Sequence, residues 1–196
     1  MRPSLALFLK APRIGTVKTR LASEIGDRRA LRLYRVLVAR TLSAVREVGL
    51  EVTIWFTPVD AASEMRFWLG DWDFRPQASG DLGARLAAAA RAVEPGRGWI
   101  ALGADCPRLG AEHLREASAL VEQGELVVGP SEDGGYYLIG GPTPLPDLFS
   151  EIPWSTNRVL EETRTRLKLS GVRWHELPLL RDVDTAEDAR AEGLLT

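Results

Sequence analysis

Residues Leu5-Ala6-Leu7-Phe8-Leu9 form an apolar run of strand length that breaks at Ala11-Pro12 into a loop carrying Gly15, Lys18, Thr19 and Arg20. A buried strand feeding a cationic loop near a chain start is the opening of a βα crossover in a nucleotide-binding α/β domain. The chain has 25 Lys plus Arg residues but only three lysines, Lys10, Lys18 and Lys168, and two of them flank this loop. Lys is a compact, mobile charge suited to a phosphate oxygen, while Arg20 offers a planar fork for two oxygens. Val17 precedes Lys18 and Gly15 stands alone, so the loop is neither a Walker A loop nor a GxGxxG turn. A solvated charged surface turn is the plain alternative.

Apolar residues at Leu31, Tyr34, Leu37, Val38, Leu42 and Val45 recur at helical spacing, so a helix runs from Asp27, as cap, to about Val48, with Gly49 as stop. Glu51–Phe56 reads as a buried strand, 61–69 as a short helix, and 70–80 as irregular. Gly80-Asp81 opens an Ala-rich helix from Leu82. Strand 99–102 ends in Gly103-Ala104-Asp105-Cys106-Pro107. A helix at 111–123, strands at 126–128 and 136–139, a proline-stiffened connection at 142–146, a helix at 155–169 and an edge strand within 172–177 follow. Thr185 and Asp188 have capping-box spacing for a last short helix. Strands alternating with helices predict a three-layer α/β/α sandwich with a mostly parallel central sheet.

At 196 residues the chain is expected to form one domain, residues 1–196, with a substantial core. Net charge is −2 and the pI about 5.8, which gives no electrostatic case for nucleic acid or a membrane surface. No apolar run reaches the length of a membrane span, and no signal-peptide pattern opens the chain. Cys106 is the single cysteine, so no intrachain disulfide forms, and a reducing, cytoplasmic setting is expected.

In an open α/β sheet ligands bind beyond the carboxyl ends of the strands. Asp105, Asp133 and the tail pair Asp182 and Asp184 fall there, facing the cationic loop. Carboxylates opposite a phosphate-ready loop suit a divalent cation, Mg²⁺ or Mn²⁺, with oxygen ligands. Each has a plainer alternative: Asp105 and Asp184 as caps, Asp133 as a turn residue, Asp182 as a surface acid. Cys106 is read as a small buried hydrophobe, and His113 and His175 lack metal-ligand spacing.

The segments KAPRIGTVKTRL, GDLGARL, GADCP, EDGGYYLIG, PWST and DVDTAED occur in that order along nearly the whole chain. Together they resemble the small GT-A-fold transferases once known only as a domain of unknown function, some described as glycosyltransferases linked to arsenosugar biosynthesis or radical-SAM gene neighbourhoods. That family is similar to nucleotidyltransferases of the sugar-nucleotide, molybdopterin and F420-precursor type. The resemblance implies a GT-A-like fold and places Ala11, Pro12, Gly15, Lys18 and Arg20 in the loop holding nucleotide base and phosphates. It places Gln77, Asp81 and Gly83 near base or ribose, Asp105 and Asp184 on the metal, and the loop from Glu132 to Tyr136 on the acceptor side. Ala104-Asp105-Cys106 stands where relatives carry Asp-any-Asp, so one carboxylate of the pattern is missing.

The expected activity is transfer of a glycosyl unit from a nucleoside-diphosphate sugar to a small acceptor, with Asp133 as general base. The alternatives are nucleotidyl transfer from an NTP to a phosphorylated small molecule, and a non-catalytic nucleotide sensor.

Overall fold

The computed structural model describes residues 2–195. Its first strand, β1 (Ser4–Lys10), is the apolar run, and it lies inside the sheet with a parallel strand on each side. The strands that follow are β2 (Glu51–Thr57), β3 (Asp73–Pro76), β4 (Gly98–Leu102), β5 (Leu126–Pro130), β6 (Tyr136–Pro142) and β7 (Trp174–Glu176). They form one seven-stranded sheet in the order β3-β2-β1-β4-β6-β5-β7. Only β6 runs against its neighbours, pairing antiparallel with both β4 and β5. The sheet is therefore mostly parallel, as the alternating pattern predicts.

Side-chain alternation along the strands makes the layers. Leu5, Leu7 and Leu9 point to one face, where Tyr34, Val38, Leu42 and Val45 of α2 (Asp27–Val48) and Leu114, Ala117 and Val121 of α5 (Ala111–Glu122) cover them. Ala6, Trp55, Ala101, Val128 and Ile139 point to the other. There they meet Leu86, Ala89 and Ala90 of α4 (Leu82–Arg91) and Leu160 and Leu167 of α6 (Val159–Ser170). The helical stripe read in the sequence is the buried face of α2, and Gly49 ends it in the left-handed conformation at φ 66°.

Two elements were not legible. Thr19–Ile25 forms a separate helix, α1, directly after the cationic loop, and Gly26 at φ 86° divides it from α2. Asp27 is thus the first residue of α2 rather than its cap. Residues 73–76, expected to be irregular, pair with β2 as the edge strand β3; they are short, mostly exposed and end in proline, so no alternation marks them. The remaining helices are α3 (Ala62–Leu69) and α7 (Ala186–Ala191). Helix α6 begins at Val159, not at 155, because Ser155 takes a left-handed backbone at φ 63°. Strand β6 runs on to Pro142, three residues past its expected end.

The tail returns to the sheet edge through backbone hydrogen bonds. Leu180 N–H donates to Pro130 O, Glu132 N–H to Leu180 O, and Val183 N–H to Asp105 O at 3.0 Å. Val183, fully buried, packs with Leu21, Leu33 and Ala186 in a third core between α1, α2 and α7. The expected capping box is present, with Thr185 and Asp188 exchanging bonds at 3.2 and 2.8 Å.

Candidate active site

Beyond the carboxyl ends of β1 and β4 lies a cavity of about 550 Å³. Its floor is strand residues such as Phe8, Ala101 and Ile139, and its charged rim is Lys10, Lys18, Arg20, Arg85, Asp105 and Asp184. Four cations around two carboxylates favour an anionic ligand.

Lys18 is the centre. Its side chain is only 5% exposed, and its ammonium contacts Asp105 Oδ1 at 2.6 Å and Asp184 Oδ1 at 3.0 Å. Arg20 Nη1 lies 3.7 Å from Asp184 Oδ2 and is mostly in solvent. Burial works against the Lys18 charge, but Asp105 and then Asp184 outweigh it and hold the ammonium above its ordinary range. Lys18, expected in the phosphate-holding loop, lines the cavity as a buried bridge between two carboxylates rather than as part of a solvated surface turn. Its backbone is left-handed at φ 49°, which starts α1 and turns the side chain inward.

The other expected residues divide into two groups. Gln77 lines the cavity, but its amide nitrogen donates to Leu9 O at 3.2 Å and Trp55 O at 2.9 Å, while its oxygen accepts from Arg85 Nη1 at 3.2 Å. Gln77 thus ties the strand ends to Arg85, a cation that sequence reasoning missed although it sits within GDLGARL. Asp81 caps α4, accepting from Ala84 N–H at 2.8 Å, and is exposed outside the cavity lining. Gly83 is buried; a Cβ there would lie 2.6 Å from both Phe149 O and the Trp154 ring nitrogen. Its smallness serves packing of α4 against the 149–154 segment, and it does not line the cavity. Ala11 and Pro12 are buried in the loop's first turn, and Gly15 is exposed at φ 76° at its tip. The loop is pinned to α3 by Arg13, which pairs with Glu64 at 2.9 Å.

Asp133 also lies outside the cavity lining. Its Oδ1 accepts from the Ser131 hydroxyl and from Gly135 N–H at 2.5 and 2.8 Å, as in a turn. Its charge nevertheless reaches the tail. Burial first, then Asp133, push the Asp182 carboxyl up to about 6, with Asp184 adding to the rise and Lys18 opposing it. An unfolded-chain Asp titrates near 4. Between about pH 4 and 6 the folded protein keeps a proton the unfolded chain has lost, so this group's contribution to stability falls as pH rises through that window. Asp182→Asn is expected to melt higher than the native protein at pH 7 and within error of it at pH 4, by thermal unfolding. A pH-independent difference would contradict this.

The Asp105–Asp184 pair suits a hard divalent ion, since both side chains are partly exposed to the cavity and offer oxygen only. Cys106 adds no ligand: burial, with Asp182 and Asp105 nearby, pushes its thiol up and keeps it neutral. Among the described residues no group of three or more His, Cys, Asp or Glu side chains comes together as a metal site. Remaining coordination positions would fall to water or ligand phosphates, as Mg²⁺ prefers.

A mostly parallel sheet with a charged cavity at its carboxyl edge is the fold of nucleotide-diphospho-sugar transferases and nucleotidyltransferases. The family model described as "Uncharacterized protein conserved in bacteria (DUF2064)" matches residues 41–156, and the chain belongs to that family. A protein from Desulfovibrio desulfuricans G20, provisionally named a nucleotide-diphospho-sugar transferase, is 30% identical over 97% of this chain and 85% of its own, with a TM-score of 0.91. Rv0371C of Mycobacterium tuberculosis H37Rv, solved in complex with manganese, shares 21% identity over 100% of this chain and 98% of its own (TM-score 0.57). A nucleotidyl transferase from Methanothermobacter thermautotroptrophicus shares 16% over 97% and 95% (TM-score 0.61). These last two support the fold alone. No curated protein matches the sequence. Among the described residues no helix is long and apolar enough to cross a membrane.

Proposed function

We propose that the protein is a transferase that takes a nucleoside-diphosphate sugar and moves its glycosyl unit to a small acceptor. The observation that supports this most is the cavity rim, where Lys10, Lys18, Arg20 and Arg85 face Asp105 and Asp184. Arg20, exposed and forked, and Lys10 at the end of β1 would bind the diphosphate. Arg85, held by Gln77 and by the Gly80 carbonyl at 3.1 Å, would anchor the nucleoside end. Ala11, Pro12 and Gly15 would set the path of the phosphate loop, and Asp81 and Gly83 would seat the start of α4. Asp105 and Asp184 would hold Mg²⁺ or Mn²⁺, which when bound neutralises charge on a diphosphate leaving group. Asp133, backed by Asp182, would take the proton of the acceptor hydroxyl.

The turn bonds of Asp133 Oδ1 and its place outside the cavity favour a second reading, nucleotidyl transfer. There the attacking phosphate is already ionised and needs no base. Thermal shift separates the donors: RT ln(1 + [L]/Kd) gives about 2.7 kcal/mol at 100 times Kd. We expect one nucleotide-sugar series, with Mn²⁺, to raise the melting temperature more than free NTPs do. A response to NTPs alone would favour the second reading.

A further inference from the structure

Lys18 is itself a cation lodged where the proposed function puts a metal, and this observation reaches beyond that function. Among the described residues its ammonium contacts only Asp105 and Asp184, from a side chain 5% exposed. We propose that Lys18 is a built-in counter-ion that closes the Asp105–Asp184 pair to a free divalent ion, so that metal enters only together with a nucleoside diphosphate. The proposal rests on the metal role given above to the two carboxylates.

The charges argue it. Two carboxylates and one ammonium leave a single negative charge, and Arg20 lies 3.7 Å from Asp184 to offset it. A bare divalent ion would thus enter a site with no surplus negative charge. It would also strip a nearly buried ammonium of its acceptors, which is unfavourable unless a new partner is supplied. A diphosphate supplies both things at once: negative charge for the ion and oxygens for Lys18. The exchange needs no backbone movement. The Lys18 carbonyl is already fixed by Ala22 N–H at 2.8 Å, and the flexible four-carbon stem already borders the cavity. Among the described residues no third acidic, His or Cys side chain joins the pair as a metal site, so the ion depends on ligand phosphate for its remaining positions as well.

Coupling between two ligands is reciprocal, so the factor by which the nucleotide tightens metal equals that by which metal tightens the nucleotide. Lys18 sets part of that factor. Without it the carboxylates keep only Arg20 as counter-charge, carry a net negative charge and attract the ion directly.

The test is Mn²⁺ binding followed by loss of the free-ion electron paramagnetic resonance signal. The native protein and Lys18→Met are each titrated with MnCl₂ alone. The titrations are repeated with UDP, GDP, CDP or ADP, against protein-free nucleotide controls. Lys18→Met is expected to bind Mn²⁺ alone at least tenfold more tightly than the native protein. The native protein should gain at least tenfold in Mn²⁺ affinity with its matching nucleoside diphosphate, and the variant should gain less. Lys18→Gln, which keeps a hydrogen-bond donor, serves if the Met variant does not fold. Native protein that binds Mn²⁺ alone as tightly as with nucleotide overturns the proposal while leaving the metal role intact. So does a variant that, like the native protein, binds Mn²⁺ only with nucleotide. Absence of Mn²⁺ binding in every form, with and without nucleotide, overturns the metal role and this proposal together.

Discussion

Asp105→Asn is expected to lower turnover by about 10³-fold, because stabilising charge on a diphosphate or triphosphate leaving group is worth several kcal/mol and each 1.36 kcal/mol is a decade of rate. Asp105 stands directly beyond β4, and its carbonyl is held by Val183 N–H at 3.0 Å, so the backbone keeps its place in the variant. Lys18 retains Asp184 at 3.0 Å as a partner. Asp105 is about half exposed, so the lost ion pair is expected to lower stability by only about 1 kcal/mol. The signature is thus a large fall in kcat beside a small fall in melting temperature. Full turnover in the variant would remove Asp105 from the chemistry.

Asp133→Asn is the second large effect, and it separates the two transfer reactions. Asn keeps an Oδ1 that can still accept from the Ser131 hydroxyl and Gly135 N–H, so the turn before β6 is preserved. What disappears is the charge. If Asp133 takes the acceptor proton, turnover falls by about 10²–10⁴-fold while donor affinity survives. In nucleotidyl transfer the same variant changes kcat little. Steady-state kcat and KM for donor, read with the melting temperature, distinguish these outcomes from simple unfolding.

Much of the frame was legible because burial writes itself into sequence. Leu5–Leu9 is apolar throughout, as a strand covered on both faces must be, and α2 shows its stripe from Leu31 to Val45, about four turns at roughly 3.6 residues each. Strand β3 was not, since an exposed four-residue edge strand has no pattern to display. Helix α1 was hidden because its seven residues bury only Leu21 and Ala22. The carboxylate edge was legible from topology, which sends loop acids to one side of a parallel sheet. The pairing at the site was not. The loop sequence marks Lys18 as a phosphate-ready charge but does not show its partner Asp184, 166 residues away, which the return of the tail along Asp105 brings to it. Arg85 was missed because an arginine on an Ala-rich helix looks like ordinary solvated surface until Gln77 is seen to hold it. Gly83 carries a packing role that its motif does not display, since its missing Cβ makes room for Trp154.

The most direct test is to incubate the native protein and Mn²⁺ with nucleotide sugars and with NTPs, each with a pool of small hydroxylated and phosphorylated acceptors, and to measure both possible products. Glycosyl transfer predicts nucleoside diphosphate released from one nucleotide-sugar series, abolished by Asp105→Asn. Pyrophosphate released from an NTP, with every nucleotide sugar left intact, would contradict it.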